Sequence, residues 1–290
     1  MSSHSRVVAN FGAAVAVMHD SGEIIRAVPL SKVPQLVAGD LVKTESESGG
    51  SHRVTELIER KSVLSRIDRR GQPKPLAANV THLAIVSAAK PGIDQLLIDQ
   101  FCIAAELAGI EAMIIVNKAD LLSEDQRQEC EDMLEAYRRI GYPAVMVDTK
   151  NEGQLEPLLN QLHDRTLVLV GASGVGKSSI VQQLLPDLDV RVGAVSEATG
   201  LGAHTTTVTF WYEHDSGGSI IDSPGVRQYS VSHLSPEEVR RGYREMADQS
   251  VDCKFSDCSH VVEPDCAVKA ALDSGEIAPW RYDNYLKLLE

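Results

Sequence analysis

The run Gly171-Ala172-Ser173-Gly174-Val175-Gly176-Lys177-Ser178 constrains this chain more than any other feature. It fits G-x-x-x-x-G-K-[ST], in which glycines let the backbone wrap closely around phosphates and turn successive N–H groups inward. Lys177 is placed to reach the β- and γ-phosphates, and the Ser178 hydroxyl to hold Mg²⁺. Ser179 follows at the start of the helix, whose N-terminus adds partial positive charge to an anion site. Such a loop needs a buried strand before it and a helix after it. The apolar run Thr166-Leu167-Val168-Leu169-Val170 predicts the strand. Ser178 to Leu185 predicts the helix, stopped by Pro186.

About fifty residues earlier stands Asn117-Lys118-Ala119-Asp120. It resembles the N-K-x-D run with which GTPases read guanine. The apolar stretch Ala112-Met113-Ile114-Ile115-Val116 predicts a strand, so Asn117 falls at a carboxyl end, where open α/β sheets place ligands. The Asp120 carboxylate accepts hydrogen bonds from guanine N1 and N2. Adenine lacks both donors and would leave that carboxylate unpaired, a strong rejection. In ordinary GTPases the phosphate loop precedes the base reader. Here the order is reversed, so the chain resembles a circularly permuted GTPase.

Two further runs fit this resemblance. Asp222-Ser223-Pro224-Gly225 follows the apolar Ser219-Ile220-Ile221 and is similar to the D-x-x-G run of GTPases. That similarity assigns Asp222 to Mg²⁺ through water and the Gly225 N–H to the γ-phosphate. Between the phosphate loop and this run lies Gly200 to Thr207. A threonine there completes the Mg²⁺ shell, and Thr206 is favoured over Thr205. Val226 occupies the place where many GTPases carry a water-orienting glutamine. Valine has no group that orients water. Intrinsic hydrolysis is therefore expected to be slow, with His204 the in-chain candidate to position the nucleophile.

Charge is unevenly spread. The 290 residues carry a net −13, which argues against a general nucleic-acid coat. Residues 1–75 carry +3 and the remainder −16. Within Arg60 to Lys74 there are six basic residues and one acid, a local footprint for phosphate backbones. No apolar run approaches the length of a membrane helix, and the N-terminus lacks a signal-peptide pattern. Five cysteines, three of them in the last forty residues, point to a reduced cytosol and a metal site rather than to disulfides. A cytoplasmic monomer with no membrane association is expected. Cys102 and Cys130 are expected on helices, partly buried.

The chain divides into three expected parts. Residues 1–72 show short alternating strands such as Val7-Val8-Ala9-Asn10 and Ala14 to Met18, with turns at Asp20-Ser21-Gly22 and Gly39-Asp40 and a flexible tip near Gly49-Gly50. They predict a small β-barrel, with an OB-fold a reasonable choice among several barrels. Residues 73–232 alternate apolar strands with helical segments, including Gln95 to Ala108 and Glu124 to Ile140. This predicts an α/β domain with a parallel sheet and helices on both faces. Residues 233–290 predict a helical tail that starts at Ser235-Pro236-Glu237-Glu238.

The tail carries C-x4-C-x-H-x5-C: Cys253, Cys258, His260 and Cys266. Three thiolates and an imidazole suit one closed, structural, tetrahedral Zn²⁺ site. These features stand in a fixed order with Phe11-Gly12, Arg60-Lys61-Ser62-Val63-Leu64-Ser65-Arg66, Ala77-Ala78-Asn79-Val80 and His204-Thr205-Thr206-Thr207. Together they resemble the bacterial ribosome small subunit-dependent GTPase A family along nearly the whole chain. The resemblance implies an N-terminal OB-fold, a permuted GTPase domain and a C-terminal zinc domain. It further implies binding of GTP and GDP with Mg²⁺, late maturation of the 30S subunit beside other assembly factors, contact with rRNA, and hydrolysis stimulated by that particle.

Two stretches depart from the family pattern. Leu201 and Ala203 stand where basic residues are usual, which bears on an RNA contact of that loop. Asp148-Thr149-Lys150 replaces the usual Ser-Ala start of the fifth GTPase motif, which backs the guanine ring. Two other classes compete with a GTP-hydrolysing assembly factor. One is a GTP-dependent binding switch that barely hydrolyses; the other is a P-loop kinase or ATPase, against which Asp120 speaks.

Overall fold

The computed structural model describes residues 4–67, 72–151, 155–160, 162–200, 208–215, 217–222 and 234–290. The chain forms two compact units. One comprises Met1–His82, Asn151–Val170 and Gly176–Tyr229; the other comprises Leu83–Lys150, Gly171–Val175 and Ser230–Glu290.

The first unit begins with five short strands: β1 (Ser5–Asn10), β2 (Val15–Met18), β3 (Ile24–Pro29), β4 (Leu41–Ser46) and β5 (His52–Leu57). They pair in the order β1-β2-β3-β5-β4, and β4 returns to pair with β1. The five strands thus close on themselves, with β3 and β5 parallel, as a five-stranded OB barrel requires. Alternation along the strands sends Val7, Val15, Val17, Ile25, Ala27, Val42 and Val54 into one core. The turns fall where glycines permit them. At Gly39, φ is +92° and a Cβ would stand 2.1 Å from the Ala78 carbonyl oxygen, so no side chain fits.

The basic run is a hairpin rather than a linker. Residues 63–67 and 73–74 of it lie in β6 (Val63–Ile67) and β7 (Pro73–Ala78), which pair antiparallel. Its first member is committed internally. The Arg60 guanidinium donates to both carboxylate oxygens of buried Asp40, at 2.7 and 2.8 Å, and to the Gln35 carbonyl. Asp40 in turn accepts from the Val37 N–H at 2.7 Å. Arg60 therefore anchors the barrel and leaves the expected phosphate footprint to the rest of the run. Asp68, Arg69 and Arg70 lie outside the described residues.

The same unit holds β11 (Thr166–Val170), β12 (Phe210–Glu213), β13 (Ser219–Asp222), and helices α3 (Glu156–Leu159), α4 (Lys177–Leu184) and α5 (Leu188–Thr199). β11 and β13 are parallel, as the alternation of strands and helices predicts. β12 runs antiparallel to β13 because Gly217-Gly218 turns the chain straight back, so the sheet is mixed rather than wholly parallel. β12 also pairs with β1, making one sheet continuous with the barrel.

The second unit carries β8 (His82–Ala88), β9 (Glu111–Asn117) and β10 (Ala144–Met146), ordered β10-β9-β8. Helices α1 (Gln95–Ala108) and α2 (Glu124–Arg139) alternate with them, followed by α6 (Pro236–Gly242), α7 (Arg244–Ser250), α8 (Ala267–Ser274) and α9 (Pro279–Leu289). The helix starts follow local chemistry. Ser123 with Gln126, and Ser235 with Glu238, form reciprocal capping boxes, and Asp94 caps α1. α6 lies against α1 closely enough that a Cβ on Gly242 would come within 2.3 Å of Ile103 Cγ2.

A buried charged hub ties these helices together. Asp99 of α1 accepts from Arg281 and Asn284 of α9, from the Tyr137 hydroxyl of α2 and from the Tyr243 hydroxyl. Arg281 also forks onto both oxygens of Glu245 in α7, at 2.7 and 2.8 Å. Its guanidinium lies 4.4 Å from the Tyr243 ring centroid. Cys102, one turn from Asp99, and Cys130 are both almost wholly buried rather than partly exposed. Burial pushes the Cys130 thiol up to about 11, so it packs as a small apolar group.

Candidate nucleotide site and metal centre

The phosphate loop leaves β11 at Val170 and enters α4 at Lys177. Three of its residues, Gly171, Gly174 and Gly176, have φ of +132°, +79° and +97°. Side chains are strained there, and at Gly171 a Cβ would sit 2.0 Å from the Val86 carbonyl oxygen. Gly171 thus packs directly against the backbone of β8, whereas a Cβ at Gly174 would meet nothing within 4 Å. Gly176 caps α4, Lys177 and Val175 are buried, and Ser178 and Ser179 open the helix.

In the second unit the base reader is built onto this loop. Asn117 ends β9 fully buried, and its Nδ2 donates to the Val175 carbonyl at 3.0 Å. Lys118 adopts φ +58°, and its ammonium donates to the carbonyls of Gly174 and Lys90 at 2.6 and 2.9 Å. Two of the four reader residues therefore clamp residues 174 and 175. Asn117 Oδ1 is a buried acceptor without a hydrogen-bond partner among the described residues, one of only two such side-chain atoms. Leaving such an atom unpaired costs about 1–3 kcal/mol, so a ligand donor or water belongs beside it. Ala119 and Asp120 lie in a short 3₁₀ turn, with the Asp120 carboxylate partly exposed.

The stretch Asp148-Thr149-Lys150 joins this site despite its unusual sequence. Asp148 is buried, and its Oδ1 accepts the Lys150 N–H at 2.9 Å. That turn carries the Lys150 ammonium to 3.0 Å from Asp120 Oδ2. The sequence marked Lys150 only as part of a departing fifth motif and did not reveal its pairing with Asp120. The available signal is its position just past the short strand β10, beside β9 at the same carboxyl end.

In the first unit, β13 pairs in register with β11, Ile221 opposite Val168. Asp222 therefore stands at the carboxyl end of its strand. Thr205, Thr206, His204, Gly225, Val226, Leu201 and Ala203 lie outside the described residues.

The four predicted metal ligands converge. Their ligand atoms all lie within 4.8 Å of one another. Cys253 Sγ and Cys266 Sγ are 3.9 Å apart, and each is 3.6 or 3.5 Å from His260 Nδ1. Thiolates about 2.3 Å from a tetrahedral ion stand about 3.8 Å apart, so these edges suit one. Burial lowers the His260 pKa, keeping the imidazole neutral as a ligand must be. The same burial pushes the Cys258 thiol up to about 12. Three thiolates would repel one another there without a cation, so the donor set suits a dication. His260 and Asp265 sit at φ +61° and +54°, the turns of a knuckle.

A Gly-rich phosphate cradle, a guanine-type reader clamped to it, and a reversed order of the two define a circularly permuted P-loop GTPase. Known proteins agree. The RsgA GTPase family matches residues 57–232. The chain is 41% identical over 98% of its length to the small ribosomal subunit biogenesis GTPase RsgA of Haemophilus influenzae, covering 83% of that protein. It is likewise 41% identical to the protein of that name from Azotobacter vinelandii, with 98% and 84% covered. Among solved structures, YjeQ from Thermotoga maritima superposes with a TM-score of 0.81 at 30% identity, over 99% of this chain and 97% of that one. YloQ, a circularly permuted GTPase, gives 0.79 at 26%, over 99% and 93%. The chain belongs to the RsgA GTPase family.

Proposed function

We propose that this chain hydrolyses GTP as a factor in late maturation of the small ribosomal subunit, docking on the 30S particle and its rRNA. The observation that carries the nucleotide reading is the clamp of Asn117 and Lys118 on the loop at Gly174 and Val175. It makes base recognition and phosphate recognition one construction. Asp120 accepts guanine N1–H and N2–H₂. Lys177 and the loop N–H groups hold the phosphates, and Gly225 meets the γ-phosphate. Ser178 and Thr206, with Asp222 through water, would hold Mg²⁺. When bound, that ion offsets charge on the β- and γ-oxygens. A water attacks the γ-phosphorus, the bond to the β–γ bridging oxygen breaks, and GDP and phosphate leave. His204 positions that water when the particle docks.

Cys253, Cys258, His260 and Cys266 hold one structural zinc. The names of the relatives support the ribosomal assignment, and the hairpin β6–β7 supports an rRNA contact through Arg66, Arg69 and Arg70. No helix among the described residues is long and apolar enough to cross a membrane, which is compatible with a cytoplasmic monomer working beside other assembly factors. The test is GTP turnover with and without purified 30S subunits. Stimulation is expected, and it should be lost in His204→Ala with GTP affinity retained. Equal, negligible turnover in both arms would instead favour a GTP-dependent binding switch.

A further inference from the structure

The stretch Asp148-Thr149-Lys150 departs from the family pattern, and its geometry gives the departure a use. Backbone bonds fasten it to the reader. The Val147 N–H donates to the Val116 carbonyl at 2.9 Å, and the Val147 carbonyl accepts the Ala119 N–H at 3.2 Å. Asp148 therefore starts its turn beside the turn that carries Asp120. The buried Asp148 side chain accepts the Lys150 N–H at 2.9 Å, closing an Asx turn that a serine in its place would close only weakly. This turn sends Lys150 back to the reader, its ammonium 3.0 Å from Asp120 Oδ2. The reader's own lysine is engaged elsewhere, since Lys118 donates to the carbonyls of Gly174 and Lys90. Lys150 is the only ion-pair partner of Asp120 among the described residues.

The Lys150 side chain is 67% exposed and that of Asp120 24%, so their pairing contributes little to folding. Its effect on a ligand is another matter. A carboxylate offers about four lone-pair sites on its two oxygens. A base that presents N1–H and N2–H₂ together takes one site on each oxygen. A second site on Oδ2 remains for the ammonium, so cation and base need not compete. The fork forms only when the plane of the carboxylate meets the plane of the base. The backbone beneath Asp120 is already held, because Arg127 of α2 donates to the Ala119 carbonyl at 2.9 Å. The remaining freedom is in the side chain, whose χ2 torsion is intrinsically broad. A charge-assisted hydrogen bond to one oxygen narrows that torsion before the base arrives. Ordering completed beforehand no longer weakens binding.

We propose that Lys150 is a positioning residue for guanine, holding the Asp120 carboxylate in the plane that accepts N1–H and N2–H₂. This rests on the guanine reading above. Adenine presents neither donor, so its binding is indifferent to the plane of that carboxylate.

The test titrates GDP and ADP into the full-length chain and its variants. Lys150→Met keeps most of the side-chain stem and removes the charge. It is expected to bind GDP about fivefold more weakly, the effect of one side chain left to be ordered on binding, with ADP affinity unchanged. Lys150→Arg keeps a cation and is expected to retain most of the parent's GDP affinity. In an Asp120→Asn background, Lys150→Met should cost little further, because the carboxylate it acts through is gone. Parent-like GDP affinity in Lys150→Met overturns the proposal, as do equal losses for GDP and ADP. A loss in Lys150→Arg as large as in Lys150→Met overturns it too, as does an undiminished loss in the Asp120→Asn background. In each of these cases a parent that prefers GDP to ADP leaves the proposed function standing. A parent without that preference overturns the guanine reading, and this inference with it.

Discussion

Asp120 is the residue on which the proposed guanine specificity rests. One of its oxygens lies 3.0 Å from the Lys150 ammonium, and the proposed guanine contact would engage the same carboxylate. That ion pair is largely exposed, so it adds little stability; its effect is to hold the carboxylate in place. Asp120→Asn removes the charge that pairs with guanine N1–H and N2–H₂. GTP affinity should fall at least tenfold and xanthine nucleotides should gain, read by competition titration. Arg281 is a residue of the opposite kind, almost fully buried between two carboxylates. Arg281→Met leaves Asp99 and Glu245 without their cation. The expected cost is about 3–5 kcal/mol, measured by urea unfolding. Replacing Asp99 as well, in Asp99→Leu/Arg281→Met, should restore part of that loss.

At the scale of elements, close approach depends on what is missing from a side chain. α6 reaches α1 because Gly242 has no Cβ to meet Ile103. Gly242→Ala places a carbon 2.3 Å from Ile103 Cγ2, and the two helices must separate. A loss of about 1–3 kcal/mol is expected, as for other overpacked cores, with nucleotide affinity little changed; calorimetric unfolding reads the first and GTP titration the second. The expected strands and helices were legible where pattern and caps agreed: α1 spans Gln95–Ala108 with Asp94 and Gly109 at its ends. The antiparallel β12 was not, because a four-residue strand with three buried aromatics carries no mark of direction. Nor did the charges of Arg60 to Lys74 reveal that Arg60 is spent on Asp40, twenty residues away in sequence.

For the whole molecule, the Cys/His knuckle and the Asn117–Asp120 run belong to one compact unit. Metal loss should therefore be felt beyond the tail. Chelation, or Cys258→Ala, is expected to release one metal per chain and loosen α8 and α9, seen by elemental analysis and limited proteolysis. Acid should act in the same direction. Burial holds the His260 pKa below its ordinary value of 6.5, so the folded knuckle resists a proton that the unfolded chain accepts. Stability from this group is present above about 6.5 and is lost as pH falls through the lower folded value. Metal retention across that range, followed by elemental analysis after gel filtration, checks the sign.

Local sequence alone singled out the candidate residues for the chemistry. Glycines at 171, 174 and 176, the Asn117 to Asp120 run and the four Cys and His ligands are legible because each needs a residue type at a short, fixed spacing. The reversed order of the two nucleotide runs likewise exposed the permutation. Only the tertiary structure decided what those residues touch. It set Asn117 and Lys118 on the phosphate loop, Lys150 on Asp120, and Asp99 under Arg281 across 182 residues of chain. Such pairings depend on how strands register and helices pack, and a linear pattern holds no record of either.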